Sequence, residues 1–336
     1  MLVRIVKDWH WPDLLRQTPN GNGVWRDVQF TTAPVERCDY LIVLNNRRNE
    51  KIAVRCPEQN IWCVMQEPYV PLLHDWMFTD LEWCSRIFSH VGVAELEKYE
   101  PSHPALPWHV NRSYDQLLAM KPPCKSHLLS WVTSRLTFLP MHRKRMAFLE
   151  HLRSEQYPVD LYGKGIRYIA DKWDGLASYH YSLVIENDRQ NDYWSEKLAD
   201  CFLSWTVPVY DGCLNLGKYF PTDAFIRIDA DDPVASLHIL AETANPQDWQ
   251  RRLDALEEAR TRALQRWQFF PYFYDKIMNA RQSAGAVTSL TIPDNRSMRA
   301  AHRRRFLAQE LTVHGPRALV RLLQDKFNYL RWSRYQ

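Results

Sequence analysis

The chain has 336 residues, 46% apolar and 24% charged, a globular composition that excludes general disorder and a length that argues for two domains. The seven cysteines (Cys38, Cys56, Cys63, Cys84, Cys124, Cys201, Cys213) include no Cys-x-x-Cys pair, which speaks against a disulfide framework or a zinc site and for small buried side chains in a reducing compartment. The net charge of +4 is uneven: from Asp294 onward, ten Lys or Arg (Arg296, Arg299, Arg303, Arg304, Arg305, Arg317, Arg321, Lys326, Arg331, Arg334) face only Asp294, Glu310 and Asp325, so the body is mildly acidic and the tail basic.

Met1 to Lys7 lacks the apolar core of a signal peptide, and no apolar run approaches the roughly 18 residues of a spanning helix. A soluble, cytoplasmic protein is the expectation. In chain order, short apolar runs predict strands at Leu2 to Val6, Tyr40 to Leu44, Ile61 to Met65, Leu128 to Val132, Val159 to Leu161, Leu183 to Ile185, Val207 to Tyr210 and Phe225 to Ile228. Runs of this kind fit strands buried on both faces, as in parallel sheets. Helical patterns at Arg143 to Arg153 and Glu196 to Trp205 alternate with them, which predicts an α/β protein. The Pro122-Pro123 pair makes Leu117 to Lys125 the best linker, and Pro246 to about Arg281 reads as one or two long helices. The expected division is 1–120, 121–285 and a tail, 286–336. In the tail a second helix starts near Pro316, with Leu319, Leu322, Leu323, Phe327 and Leu330 at helical spacing.

The most informative stretch runs from Tyr181 to Gly212. A buried strand ends at Glu186-Asn187, a polar loop follows, and Ser195 is placed to cap a helix whose first turn holds Glu196 and Lys197. A helix N-terminus just past a strand end, with a lysine added, suits a diphosphate, and Glu196 could accept from ribose hydroxyls. A surface Glu-Lys pair is the plainer reading of those two residues alone. Asp229-Ala230-Asp231-Asp232 contains an Asp-x-Asp, but its position before Pro233 favours capping the next helix over metal binding. The twelve histidines show no ligand spacing; His74 and His90 could line the acceptor side, with core or surface roles the plainer reading.

Ile185-Glu186-Asn187, Asp192-Tyr193-Trp194-Ser195-Glu196-Lys197 and Val207-Pro208-Val209-Tyr210-Asp211-Gly212 together resemble the donor-binding signature of the family 10 glycosyltransferases, the α-1,3-fucosyltransferases, in a bacterial-type form. Tyr219 to Ile226, Trp131-Val132-Thr133-Ser134 and Val159 to Gly163 are similar to further family segments in the same order. Arg143-Lys144-Arg145-Met146-Ala147-Phe148 resembles the family's arginine followed three residues later by an aromatic: Arg145 fits the spacing and Arg143 is the competing assignment. Arg135 stands where the family has an asparagine. In the N-terminal half, Ile61 to Pro68 resembles the strand leading to the family's catalytic glutamate, here Glu67; a capping or salt-bridging role is the alternative.

The resemblance implies a GT-B-like fold of two doubly wound, Rossmann-like domains facing a cleft. It also implies inverting transfer from a nucleotide sugar, GDP-fucose first, to a carbohydrate acceptor such as a surface-glycan or lipid-linked precursor, with no cofactor or metal. Glu67 would be the base; Arg145 or Arg143, Ser134, Glu186, Asn187, Tyr193, Glu196 and Lys197 would line the donor site. The alternatives are the same fold with another nucleotide sugar, or a non-catalytic protein that binds a nucleotide sugar or a membrane surface. The basic stretch 296–334 suits an anionic membrane on the cytoplasmic side, or packing on the body or a second subunit. Nucleic acid is not expected as a partner.

Overall fold

The computed structural model describes residues 1–92, 98–280 and 286–333; Arg334 lies outside them. The chain forms two compact units: Met1–Pro107 with Arg112–Ala119 and Arg266–Gln309, and Trp108–Asn111 with Met120–Gln265 and Glu310–Gln336.

Unit 1 contains β1 (Leu2–Val6), β2 (Val24–Trp25), β3 (Val28–Thr31), β4 (Tyr40–Leu44), β5 (Ile52–Pro57), β6 (Ile61–Val64), β7 (Arg86–Ser89), β8 (Tyr99–Pro101) and the short helix α1 (Tyr114–Ala119). Seven of these strands form one sheet in the order β2-β3-β1-β4-β6-β7-β8, parallel except for the β2–β3 pair. All residues of β4 and β6 are buried, as expected for strands covered on both faces. Leu41, Val43, Ile61, Cys63, Trp76 and Ile87 belong to the core on one side.

Unit 2 holds β9 (His127–Val132), α2 (Pro140–Ser154), β10 (Asp160–Tyr162), β11 (Tyr179–Ile185), α3 (Glu196–Leu203), β12 (Val207–Asp211), β13 (Ile226–Arg227), α4 (Pro233–Thr243), α5 (Pro246–Arg251) and α6 (Leu253–Arg262). Its sheet is wholly parallel, in the order β10-β9-β11-β12-β13. From β9 the chain moves outward to β10, then crosses back to β11 on the other side of β9. The strand order therefore reverses between β9 and β11, where parallel α/β sheets open a crevice at their carboxyl ends. The aromatic that follows Arg145 fixes α2 on this sheet: Phe148 meets Trp131 of β9 edge to face, with ring centroids 6.1 Å apart.

Beyond α6 come α7 (Phe269–Ala280), β14 (Val287–Ile292), α8 (Arg296–His314) and α9 (Pro316–Ser333). The three-part division expected from the sequence does not hold here. Residues 266–309 return to unit 1 because β14 pairs antiparallel with β5 and Phe269 and Phe270 of α7 pack on Phe30. Residues 310–336 group with unit 2, so the tail is part of both units and not a separate body. The segment expected as one or two long helices forms three from Pro246 to Ala280, with a wider turn at Ala263–Trp267 before the last; Arg281 lies outside the described residues. The linker begins later than expected, since Leu117 is a fully buried residue of α1. Cys124 is exposed in the coil between α1 and β9, whereas the other six cysteines are buried. Among the described residues no helix is long and apolar enough to cross a membrane.

Candidate active site

In unit 2 the carboxyl ends of β9 and β11 present Ser134 and Glu186-Asn187, flanking the point where strand order reverses. Arg145 of α2 joins them: one guanidinium nitrogen donates to Asn187 Oδ1 at 3.1 Å and the other to Ser134 Oγ at 3.1 Å. Arg145 is only 4% exposed, and its Nε has no partner among the described residues. Burial pulls its pKa down to about 10, against the attraction of Glu186 and Asp325, so the guanidinium stays charged at neutral pH. Arg143 points elsewhere, donating to the Phe138 and Thr137 carbonyls at 3.1 and 3.4 Å. Of the two candidate arginines, Arg145 alone reaches Ser134 and Asn187.

Glu186 is fully buried and accepts from Ser195 N at 2.8 Å, Ser195 Oγ at 2.6 Å and Lys197 Nζ at 3.2 Å. Three charge-assisted donors offset the cost of burying this carboxylate. Ser195 caps α3 as expected, its Oγ accepting from Lys197 N, and also lies 3.0 Å from Lys197 Nζ. Gly212 closes the arrangement for a steric reason: a Cβ there would fall 2.5 Å from Glu186 Cγ and 2.6 Å from the Tyr210 hydroxyl. Tyr193 is almost fully buried beside this turn. The preceding Asp192 ties the turn to the next segment, accepting from Tyr219 Oη at 2.6 Å, Lys218 Nζ at 2.9 Å and Asn215 Nδ2 at 3.0 Å.

Glu196 leads into a second set of charges that the sequence did not flag. Lys172 bonds Glu196 at 3.3 Å and Asp200 at 2.9 Å, and Asp200 accepts from the backbone of His109 and Val110. Burial opposes ionisation of Lys172, but Asp200 and Glu196 outweigh it and hold the ammonium above the ordinary lysine range. Burial likewise opposes the charge on Glu196, yet Lys197 and Lys172 keep its carboxyl well below the usual range. His109, 3.8 Å from Glu196, is pushed down to about 4 by burial and then by Lys172, so at neutral pH this contact is not an ion pair. His142 of α2 is lowered to about 3 by burial and by Arg145 and Lys197, which places one neutral imidazole within reach of both cations. Lys164, in the loop after β10, is lowered to about 8 by burial and Lys172. That loop runs tight against β9: Gly163 has φ +115°, and a Cβ on it would meet Thr133 O at 1.9 Å. Lys172 and Asp200 were hidden because their partners lie 24 to 91 residues away in sequence.

Asp229 and Asp231 take part in ion pairs. Arg189 bonds Asp211 and Asp229 at 2.5 and 2.7 Å and lies 3.3 Å from Asp231, which also pairs with Lys144 at 2.6 Å. Asp232 caps α4, accepting from Ala235 N at 3.0 Å.

Glu67 belongs to unit 1, just past the carboxyl end of β6. Asn45, in left-handed backbone at the end of β4 with φ 60°, accepts from the amides of both Gln66 and Glu67 at 2.8 and 3.0 Å. The Glu67 carboxylate is about a third exposed and pairs with Arg47 through one oxygen at 3.1 Å. His74 in the following loop accepts from Val70 N at 3.0 Å, and burial and Arg47 push it down to about 4. His90 is buried.

A buried arginine, a lysine and a capped helix N-terminus thus stand at the strand reversal point of a parallel α/β unit, an arrangement whose fixed positive charge suits a phosphate-bearing ligand. Residues 122–251, nearly all of unit 2's sheet region, match the family model described as glycosyltransferase family 10 (fucosyltransferase), C-terminal. This stretch of the chain is thus similar to the C-terminal domain of that family, within a chain of two mainly parallel α/β units. The 4-galactosyl-N-acetylglucosaminide 3-alpha-L-fucosyltransferase 9 of Homo sapiens is 32% identical over 112 residues, which cover 32% of this chain and 30% of the relative. A fucosyltransferase-like protein of Arabidopsis thaliana is 32% identical over 117 residues, 32% of this chain and 22% of that protein. The match therefore spans less than a third of these relatives' length. Among solved structures, an alpha1,3-fucosyltransferase with GDP-fucose superposes with TM-score 0.46 at 17% identity, covering 85% of this chain and 91% of the other. TarM gives 0.47 at 9% identity, covering 73% and 55%.

Proposed function

We propose that the protein is an inverting glycosyltransferase that moves fucose from GDP-fucose to a hydroxyl of a carbohydrate acceptor, a surface-glycan or lipid-linked precursor, without a cofactor or metal. The observation that carries this reading is Arg145, buried yet charged and held by Ser134 and Asn187 at the strand reversal point. With Lys197 and the α3 N-terminus it supplies fixed positive charge where a departing diphosphate develops negative charge. Inversion also requires one base for the acceptor hydroxyl, and Glu67 is assigned that role. The relatives named as 3-alpha-L-fucosyltransferases support fucose over other transferred sugars.

Thermal unfolding in the presence of GDP-, UDP- and dTDP-sugars tests the donor. A ligand at 100 times its Kd adds about 2.7 kcal/mol of stability, so GDP-fucose should raise Tm and the UDP- and dTDP-sugars should not. Stabilisation by a UDP- or dTDP-sugar alone would overturn the assignment in favour of the same fold with another donor.

We further propose peripheral association with the anionic cytoplasmic face of a membrane. Leu319, Val320, Leu323 and Phe327 of α9 are 50 to 64% exposed, with Arg317 and Lys326 also exposed on that helix. An apolar stripe beside cations matches an anionic lipid surface in both respects. Co-sedimentation should capture the protein on phosphatidylglycerol vesicles at low salt and lose most of it for Leu323→Ser/Phe327→Ser. Equal capture of the variant would remove α9 from the interaction.

A further inference from the structure

The packed side of α9 carries a buried carboxylate. Ala318 and Asp325 are buried, while Leu319, Val320, Leu323 and Phe327 are exposed, as the helical turn of 3.6 residues requires of the two faces. The Asp325 carboxylate accepts from the Thr137 backbone N–H at 3.0 and 3.1 Å and from the Thr137 hydroxyl at 3.3 and 3.4 Å, across 188 residues of sequence. Burying a carboxylate is costly, so this contact requires the donors it has found.

Thr137 lies midway along the irregular segment that connects β9 to α2. That segment begins with Ser134, which binds Arg145, and ends at Leu139, whose N–H donates to His142 Nδ1 at 3.3 Å. Arg143 holds the Phe138 carbonyl from α2. Arg143 also reaches the Thr137 carbonyl at 3.4 Å and the Arg135 N–H donates to the Lys164 carbonyl at 3.1 Å, while Asp325 alone among the described residues brings a carboxylate from the C-terminal helix to the Thr137 N–H and hydroxyl. The same carboxylate adds to the negative charge felt by Arg145.

We propose that Asp325 is a positioning residue for the donor-phosphate site, fixing through Thr137 the β9–α2 segment that presents Ser134 to Arg145. This rests on the donor reading above and gives the C-terminal helix a role inside unit 2. A segment free to shift by about 1 Å at Ser134 would release Arg145 from half of its side-chain support, and misplacements of that size are felt strongly in binding and catalysis.

The test is calorimetric titration with GDP, with Tm measured in parallel. Asp325→Ala should weaken GDP about tenfold, and Asp325→Asn, which keeps an acceptor for Thr137 N–H, should recover most of the loss. Asp325→Ala combined with Ser134→Ala should cost no more than the larger single loss, because both act through one contact. A lowered Tm with unchanged GDP affinity in the folded protein, or additive losses in the double variant, overturns the proposal. If Asp325→Ala does not fold, Thr137→Val carries the test: a severalfold weaker affinity supports the proposal and an unchanged one overturns it. Arg145→Ala separates the two readings. Retained GDP affinity there sinks the donor site itself, whereas loss in Arg145→Ala without loss in Asp325→Ala sinks only the positioning role.

Discussion

Glu67→Gln is expected to lower sugar transfer about 10²- to 10⁴-fold with GDP affinity nearly unchanged, the usual contribution of a general base. The substitution keeps an oxygen for Arg47 and leaves the Asn45 clamp on the Gln66 and Glu67 amides intact, while removing the basic oxygen. The competing role for Glu67 is that of an ion-pair partner, and the magnitudes separate the two. A pair exposed to the extent of Arg47 and Glu67, 23% and 34%, contributes about 0 to 1 kcal/mol to stability. Loss of the base costs about 2.7 to 5.4 kcal/mol in the barrier and falls in kcat, with KM for the donor little changed. Steady-state kinetics and chemical denaturation on Glu67→Gln and Arg47→Ala decide the matter. Wild-type kcat in Glu67→Gln, under conditions where chemistry limits turnover, would make Glu67 structural and pass the base to another carboxylate or histidine.

The parts of the fold legible in the sequence were those buried on both faces. Tyr40–Leu44 and Val207–Asp211 are uninterrupted buried strands, and their runs of apolar residues announce them. β5 escaped notice because it alternates, with Ala53 and Arg55 exposed between Ile52, Val54 and Cys56, as befits a two-stranded pair solvated on one side. β14, its partner, pairs with it across 230 to 240 residues of sequence and shows only partial burial. The return of residues 266–309 to unit 1 had no local signal, since Phe269 and Phe270 read equally well as the apolar face of any helix.

The site divides in the same way. Glu186, Ser195, Glu196 and Lys197 lie within one strand-loop-helix turn, where the end of an apolar run marks Glu186 and the capping preference of Ser195 marks the helix start. Spacing to Phe148 favoured Arg145, but Arg143 stayed in competition because the irregular segment before α2 sets the helix start and hence which arginine faces Ser134. Lys172, Asp200 and Asp325 act through tertiary contacts whose partners are remote in sequence. Asp325 in particular stood among the acidic residues of a tail counted for its positive charge.

Arg145→Ala and Lys197→Ala should each weaken GDP binding by about 10- to 150-fold, corresponding to the 1.5 to 3 kcal/mol of a charge-assisted hydrogen bond. The two variants differ in side effects. Arg145 is supported by neutral groups, Ser134 and Asn187, so its removal leaves no charge unpaired beside it except the more distant Glu186 and Asp325. Lys197 neutralises Glu186, which is fully buried, and removing one partner of a buried pair costs about 3 to 5 kcal/mol when nothing else satisfies the charge. Ser195 still donates twice to Glu186, so Lys197→Ala should fold with reduced stability, and adding Glu186→Gln should restore part of it. Arg145→Lys keeps the charge but lacks the planar fork, so it cannot reproduce both bonds and should recover little. Arg143→Ala should cost far less than either, because its guanidinium binds the Phe138 and Thr137 carbonyls. Calorimetric titration with GDP at two salt concentrations measures all of these. Unchanged affinity in both Arg145→Ala and Lys197→Ala would remove the diphosphate from this end of unit 2, and a loss confined to Arg143→Ala would move it to the neighbouring arginine.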